Sequence, residues 1–382
     1  MAVANTPLTH DLLQIKKDLK NKLDSKPSNH LVESNLMLDE RNLIHSIHSH
    51  TKDLNTDNVT RTQAYFEFYT HYPEIQWALL GHLVSRNGGW NMTDLKGEYL
   101  SKLLSDKDQE DFFMFLERGN WLIFQDVYPQ FLLYEESLKR KKPLFHLLPY
   151  FHVSAFMEPL WNHFWTSRNR YLLAIALVVN EQSYLEQHVM QNKQFQSKII
   201  QSIEFNLQEL LSLNHILFPI DSPFEKAKLV GQTLNHFTSL HERILLGKRL
   251  YSLLFDDEER LTNILKWAKF NPHTGSRKDY WPHVFNDVKE TLPGRVYNPQ
   301  IKDCSLKQGV CRLFSPKLQY AWQNVEHTDA SPSDWFKELN ALDYLKKPFK
   351  NVNGEIQHAY CKTLETLGFA IFTKKAIFHR KQ

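Results

Sequence analysis

Glycine is scarce in this sequence, which has 12 glycines among 382 residues, about 3%, where globular proteins average roughly 7%. Sheets joined by tight turns and glycine-rich phosphate loops both need more glycine than this. The GxxxxGK[ST] and GxGxxG patterns of nucleotide-binding loops do not occur. The GxSxG and HExxH patterns of hydrolases and metalloproteases are also missing. The sequence therefore contains none of these motifs, from which a catalysed reaction could be inferred.

Cysteine is equally rare, and its three positions, Cys304, Cys311 and Cys361, lack CxxC spacing. An odd number without metal-site spacing predicts reduced thiols, and neither a zinc site nor a disulfide framework. The N-terminus lacks the apolar segment of a signal peptide. The longest apolar run, Tyr171–Val179, has nine residues, well below the roughly 20 that span a bilayer. Cytoplasmic localisation without a transmembrane segment is the expectation.

A large excess of one charge sign is lacking too, since 46 basic and 43 acidic residues leave a net charge of +3. A nucleic-acid-binding domain usually shows a strongly basic face. Three short basic clusters exist, at Lys16–Lys22, Lys139–Lys142 and Arg277–Lys278, but they are scattered along the chain. Nucleic-acid binding is therefore the weakest of the functional hypotheses.

Hydrophobic residues at 42% and aromatic residues at 13% indicate a globular protein. Their spacing predicts an all-α fold, a multi-helix bundle of short helices punctuated by proline and glycine, with a small irregular or α+β part at the C-terminus. Composition divides the chain into an amphipathic arm and linker (1–35), a helical core domain (36–270) and a mainly helical C-terminal region (271–382). The end, Phe369–Phe378, fits a strand pair or a final helix.

The helix boundaries follow from capping signals. Gly88 suits the end of one helix, and Asn91 with Asp94 resembles the cap of the next. The segment 108–141 divides into three short helices at Gly119 and Pro129. Further helices are predicted at 193–214, 223–254, 257–269, 282–291, 332–346 and 354–366.

Residues 6–23 form an amphipathic helix with lysines beside an apolar stripe. We expect it to dock on its own domain or on a partner, and peripheral membrane contact is the alternative. The histidines His45, His48 and His50 do not share one helix face. Glu355 and His358 form a single ExxH, whereas a di-iron bundle needs two. No metal and no cofactor is therefore predicted.

Several charged or amide side chains fall where apolar helical stripes point inward. Arg61 precedes Tyr65 by four residues, and Arg86 with Asn87 continues the line of Leu79 and Leu83. Glu181 continues the apolar face of the helix that follows Arg170, a helix predicted to be central. A buried unpaired carboxylate is costly, so Arg61 or Arg86 is its predicted partner. The candidate ligand-binding set is Arg61, Arg86, Asn87, Glu117, Arg118, Asp126 and Glu181.

Four segments of the chain resemble the YppC-like family of Gram-positive spore-forming bacteria and their relatives. They are Asn58–Tyr65, Ser85–Asp94, Glu117–Asp126 and Asn180–Gln182. The resemblance extends from residue 58 to the 330s. It implies no activity, cofactor or catalytic residue, because none is established for the family.

Three interpretations of the polar set remain open. It is a network of caps and internal ion pairs, or a pocket of a binding or scaffold protein that engages a protein partner or a small anionic ligand. The alternative is a hydrolase- or transferase-like enzyme that uses Glu117, Asp126 or Glu181 beside Arg61 and Arg86. A pocket open to ligand would favour function, and a sealed network would favour the first interpretation.

Overall fold

The structure, a computed structural model, describes residues 9–25, 36–192, 195, 214–221, 227–291, 298–346, 349 and 351–379. Its helices are α1 His10–Asp24, α2 Leu38–Leu54, α3 Asn58–His71, α4 Gln76–Asp94, α5 Leu100–Leu103, α6 Asp106–Arg140, α7 Met157–Ser167, α8 Arg170–Leu185, α9 Leu240–Phe255, α10 Glu258–Phe270, α11 Leu318–Ala321, α12 Leu342–Leu345 and α13 Gln357–His379. Its strands are β1 His215–Ile220, β2 Lys228–Thr233, β3 Phe285–Asn286, β4 Ile301–Lys302, β5 Ser305–Leu306 and β6 Leu313–Phe314. The predicted helical fold with a small strand-containing C-terminal part is confirmed.

Helix α8 lies at the centre of the core. Its residues from Leu172 to Asn180 are all buried, and it packs against α4, α6, α7 and α9. A helix that is apolar on every side is buried completely only when other elements pack against it from every direction. The prediction of a central helix after Arg170 is confirmed.

Helix α4 runs without interruption through Gly88 and Gly89, so the predicted helix end at Gly88 is wrong. A Cβ atom at Gly89 would lie 2.3 Å from Asn58 Oδ1 and 2.4 Å from His273 Nε2. Glycine is therefore needed here for close packing against α3 and the segment after α10, and not for a left-handed turn. The predicted cap at Asn91 is also wrong, because this residue lies inside the helix.

Helix α6 spans 35 residues, so the division of 108–141 into three helices is wrong. Gly119, Asn120 and Pro129 all lie inside it, and the Asn120 Nδ2 donates back to the Leu116 carbonyl at 2.8 Å. The residues after Pro129 are buried through Tyr134. Packing on both sides of the proline outweighs the roughly 3 kcal/mol that an interior proline costs a helix.

The predicted helix 223–254 is wrong in its first half. Strand β2 lies there and pairs antiparallel with β1, with Thr233 opposite His215, and α9 begins only at Leu240. The predicted helix at 257–269 is confirmed as α10. The predicted helix at 193–214 falls almost wholly outside the described residues.

The C-terminal region differs most from prediction. In place of a helix at 282–291, β3 pairs in parallel with β6. The segment 332–346 is largely irregular, with only short turns of helix from Leu339. Helix α13 confirms the predicted helix at 354–366 and shows that Phe369–Phe378 is helical.

Cys304 and Cys361 form a disulfide, with their Cα atoms 5.1 Å apart, so the prediction of reduced thiols is wrong for this pair. The two cysteines are 57 residues apart in the chain. Disulfides persist mainly in oxidising compartments. The expectation of a cytoplasmic protein therefore loses the support that it drew from reduced thiols.

Helix α1 packs its apolar stripe of Leu12, Ile15 and Leu19 against α7, and Lys22 Nζ lies 2.6 Å from Glu158 Oε2. The stripe is thus covered within the chain, and Leu13 stays exposed. None of the helices in the described ranges is long and apolar enough to cross a membrane.

Candidate functional site

A pocket of about 280 Å³ lies between α3, α4, α6, α8, α9 and strand β1. Aromatic and aliphatic side chains form most of its wall, among them Tyr65, Trp77, Phe112, Phe115, Ile123, Val178, Ile216, Phe237 and Leu250. Arg61, Glu181, Gln182 and Arg243 supply polar groups to the same wall. An apolar pocket with a few convergent polar groups has the composition of a small-molecule site.

Four glycines, a third of those in the chain, line this pocket: Gly81, Gly88, Gly119 and Gly247. An added Cβ would lie 2.5 Å from Val178 Cγ1 at Gly247, whereas at Gly119 its nearest neighbour is Leu185 Cδ2 at 3.8 Å. The glycine at 247 is thus required for packing. The one at Gly119 leaves room beside the pocket, in a chain that otherwise uses glycine sparingly.

Glu181 comes from the C-terminal half of α8, where the buried apolar face meets the pocket. The amide Nε2 of Gln182 donates to its Oε1 at 2.8 Å. Burial raises the pKa of the Glu181 carboxyl to about 7, and the hydrogen bond from Gln182 and the charge of Arg243 oppose this only in part. Near neutral pH a large fraction of Glu181 carboxyls is therefore protonated.

Arg61 is buried, and its charge is already matched. Its Nη2 lies 2.6 Å from both carboxylate oxygens of Glu117, and its Nη1 donates to Asn55 Oδ1 at 3.2 Å. Burial raises the pKa of Glu117 against the opposing effect of Arg61. The Nε of Arg61 has no acceptor among the described residues. The predicted pairing of Glu181 with Arg61 or Arg86 is thus replaced by an Arg61–Glu117 pair.

Arg243 is the pocket residue that sequence reasoning missed. Its Nη2 lies 2.5 Å from Glu186 Oε2, and its Nε donates to Gln182 Oε1 at 3.0 Å. It lies on α9 in line with Leu240, Gly247 and Leu250, on the inward face of that helix. A cation on an apolar stripe is the same signal that identified Arg61, so it could have been found.

Arg86 and Asn87 lie outside the pocket wall. The Arg86 guanidinium donates to the Asn271 carbonyl and stacks over Trp267 at 4.4 Å, and burial lowers its pKa to about 10. Asn87 holds strand β1, because its side chain donates to the Leu217 carbonyl at 2.9 Å and accepts from the Leu217 N–H at 2.8 Å. Arg86 therefore connects α4 to the end of α10, and Asn87 connects α4 to strand β1.

Arg118 and Asp126 also lie outside the wall. Arg118 donates to the Thr328 carbonyl at 2.6 Å and stacks over Trp121 at 4.9 Å.

Asp126 accepts hydrogen bonds from Asn180 at 2.5 Å and Gln130 at 3.1 Å, while its Oδ1 has no partner among the described residues. Burial raises the pKa of Asp126 to about 8. Of the three carboxylates predicted for chemistry, only Glu181 lines the pocket.

A second buried cluster joins the C-terminal region to α4. Arg277 Nη2 lies 2.6 Å from Asp94 Oδ2 and donates to Asn91 Oδ1 at 3.1 Å, while its Nη1 donates to the Tyr280 hydroxyl at 2.8 Å. In the sequence, Arg277 belongs to a short basic cluster with Lys278. No local spacing predicts its buried role, because Asp94 and Asn91 lie more than 180 positions away in the chain.

The protein family described as "Protein of unknown function (DUF2515)" matches residues 53–361 of this chain. The chain belongs to the DUF2515 family. The uncharacterized protein YppC of Bacillus subtilis (strain 168) is 38% identical over 297 residues, which cover 78% of this chain and 84% of that protein. This confirms the resemblance to the YppC-like family. No solved structure matches the chain.

The DUF2515 match includes the described walls of the pocket, since α3, α4, α6, α8 and α9 all lie within residues 53–361. Helix α1, which packs on α7 away from the pocket, lies outside the match. The pocket is thus built by the part of the chain that defines its membership of DUF2515.

Proposed function

We propose that this DUF2515 protein binds a small, largely apolar molecule in the pocket between α4, α6, α8 and α9. The observation that carries the proposal is a pocket of about 280 Å³ in a helical core, walled by apolar side chains and glycines. An engineered apolar cavity of about 150 Å³ takes up benzene. A molecule with a hydrocarbon part of about eight carbons would fit.

The pocket is not sealed from solvent, so an apolar ligand would displace water from its apolar wall. Removing apolar surface from water is favourable by roughly 25 cal/mol per Å². This gain supports binding over a merely structural role for the pocket.

Substitutions at Gly119 test the proposal, with 1-octanol as the probe. Gly119→Leu projects a side chain beside the pocket and is expected to weaken octanol binding at least tenfold, measured by titration calorimetry. Gly119→Ala adds one carbon with no contact closer than 3.8 Å. It should keep the affinity and raise the free energy of unfolding by about 0.5–1 kcal/mol, because alanine favours the helix.

The two variants share one position and differ only in how far they reach into the space. Equal octanol binding by the leucine and alanine variants would place the probe elsewhere on the protein. Absence of octanol binding to the unsubstituted protein, up to the solubility limit of the probe, would contradict the proposal directly.

A second candidate is acid–base chemistry at Glu181, as a hydrolase- or transferase-like enzyme would need. It is favoured by one observation, the raised pKa of about 7 of a carboxyl group that lines the pocket. Among the described residues of the wall it has no second free carboxylate, because Glu117 is paired with Arg61 and Asp126 lies outside the wall. Binding therefore has the better support of the two.

The scaffold interpretation, with a protein as partner, and the cytoplasmic localisation both stay predictions. One lysine in each of two basic clusters has a carboxylate neighbour: Lys22 contacts Glu158, and Lys139 lies 3.0 Å from Glu135. Arg277, from the third cluster, is buried against Asp94. These pairings give nucleic-acid binding less support than the sequence did.

A further inference from the structure

The charges around the pocket do not balance. Three of the described residues that line it carry charge: Arg61, Glu181 and Arg243. Each arginine has a carboxylate of its own at hydrogen-bond distance, Glu117 for Arg61 and Glu186 for Arg243. Glu181 receives a neutral amide donor at 2.8 Å. The described part of the wall therefore carries two neutralised cations and one carboxylate with no cation at hydrogen-bond distance.

Such an arrangement stabilises a positive group better than a negative one. An ionised carboxylate in apolar surroundings is destabilised unless a counter-charge reaches it. A protonated amine would supply that charge and up to three N–H donors. An anionic ligand would gain little from Arg61 and Arg243, because carboxylates already balance their charges. The Glu181 carboxylate would also repel it.

We infer that the pocket takes a hydrophobic primary amine, with the ammonium group on the Glu181 carboxylate and the hydrocarbon part against the apolar wall. This inference rests on the proposed binding function and names the chemical class of its ligand. It reverses the sign of the ligand expected from sequence, where the arginines suggested a small anion. The reversal follows from the Arg61–Glu117 and Arg243–Glu186 pairs, which the sequence did not reveal.

One N–H group in the pocket wall favours an electronegative ligand atom and not a cation. The Nε of Arg61 has no acceptor among the described residues, so an oxygen atom of a ligand could bind there. The guanidinium charge is nevertheless matched by Glu117 at 2.6 Å. Arg61 thus adds a place for a hydroxyl or carbonyl oxygen on the amine, and not a site that requires an anion.

Three probes of equal chain length separate the possibilities: octylamine, 1-octanol and octanoate, titrated by calorimetry at pH 8. At this pH an alkylamine is protonated, and most Glu181 carboxyls, with a pKa of about 7, are ionised. Octylamine is expected to bind at least tenfold more tightly than octanoate. The Glu181→Gln variant should lose this preference, and its affinity for the uncharged octanol should fall far less than its affinity for octylamine.

The matched control is Glu110→Gln, the same exchange at an exposed position of α6, which should leave all three affinities unchanged. Octanoate binding as tight as octylamine binding, or a preference for the amine that survives Glu181→Gln, would overturn the inference while octanol binding upholds the pocket. If none of the three probes binds the unsubstituted protein, the proposed function fails and the inference fails with it.

Discussion

Replacing Arg61 by methionine is expected to lower the free energy of unfolding by about 3–5 kcal/mol, the largest effect of a single substitution that we predict. Both residues of the Arg61–Glu117 pair are buried, with side chains 1% and 5% exposed. Methionine fills a similar volume but leaves the Glu117 carboxylate without its cation. Burial already raises the pKa of Glu117, so the carboxyl would then take up a proton or draw in water.

Urea unfolding followed by circular dichroism measures this loss. The double variant Arg61→Met/Glu117→Leu is the control, because exchanging both members of a buried pair for apolar residues is often neutral. It should recover most of the stability. A loss below about 1 kcal/mol for Arg61→Met alone would show that the pair contributes little, and Arg61 would return to the candidates for direct ligand binding.

Raising the pH from 4 to 9 is expected to remove several kcal/mol of stability through Glu181 and Asp126. Burial raises the pKa of Glu181 to about 7 and that of Asp126 to about 8, above the values of about 4.5 and 3.8 for the free groups. The folded state therefore holds more protons than the unfolded state between pH 4 and 8. Stability falls with rising pH over this window and levels off above it, because the unfolded chain binds fewer protons.

The double variant Glu181→Gln/Asp126→Asn isolates the contribution of these two carboxyls from that of all other titrating groups. Its free energy of unfolding, subtracted from that of the unsubstituted protein at each pH, should give a difference that changes steadily from pH 4 to 8 by at least 3 kcal/mol. A flat difference would mean that neither carboxyl has a raised pKa, and the acid–base alternative would lose its support.

The sequence predicted the apolar faces of the helices and the burial of the polar residues that lie on those faces. Arg61, Arg86 and Asn87 are buried, as their positions on apolar lines predicted. The 3.6-residue period reports which face of a helix is covered. It does not report which element covers that face, so the partners of these residues could not be derived.

The helix ends were misread at glycine and proline. Gly88 and Pro129 lie inside long helices, since local propensity differs by only about 1–3 kcal/mol and tertiary packing exceeds that. At Gly89 the close approach of Asn58 and His273 accounts for the glycine. A single sequence cannot distinguish a glycine needed for packing from one that ends a helix.

Contacts distant in the chain were beyond prediction. Arg277 lies 183 residues from Asp94, and Cys304 lies 57 residues from Cys361. Neither pair has a local spacing that marks it. The pocket itself depends on such contacts, because α3 and α9 contribute to it from positions far apart in the chain. Of the predicted set, Arg61 and Glu181 line the pocket, whereas the predicted pairing of Glu181 with Arg61 or Arg86 is wrong, because Arg61 pairs with Glu117.

The crystal structure of the protein with octylamine would test the central claim most directly. We predict electron density for the amine between α4, α6, α8 and α9, with its nitrogen at a hydrogen-bonding distance of about 2.7–3.1 Å from the Glu181 carboxylate and its chain beside Gly119. Octylamine bound elsewhere, or a pocket filled by the protein's own side chains, would contradict the account.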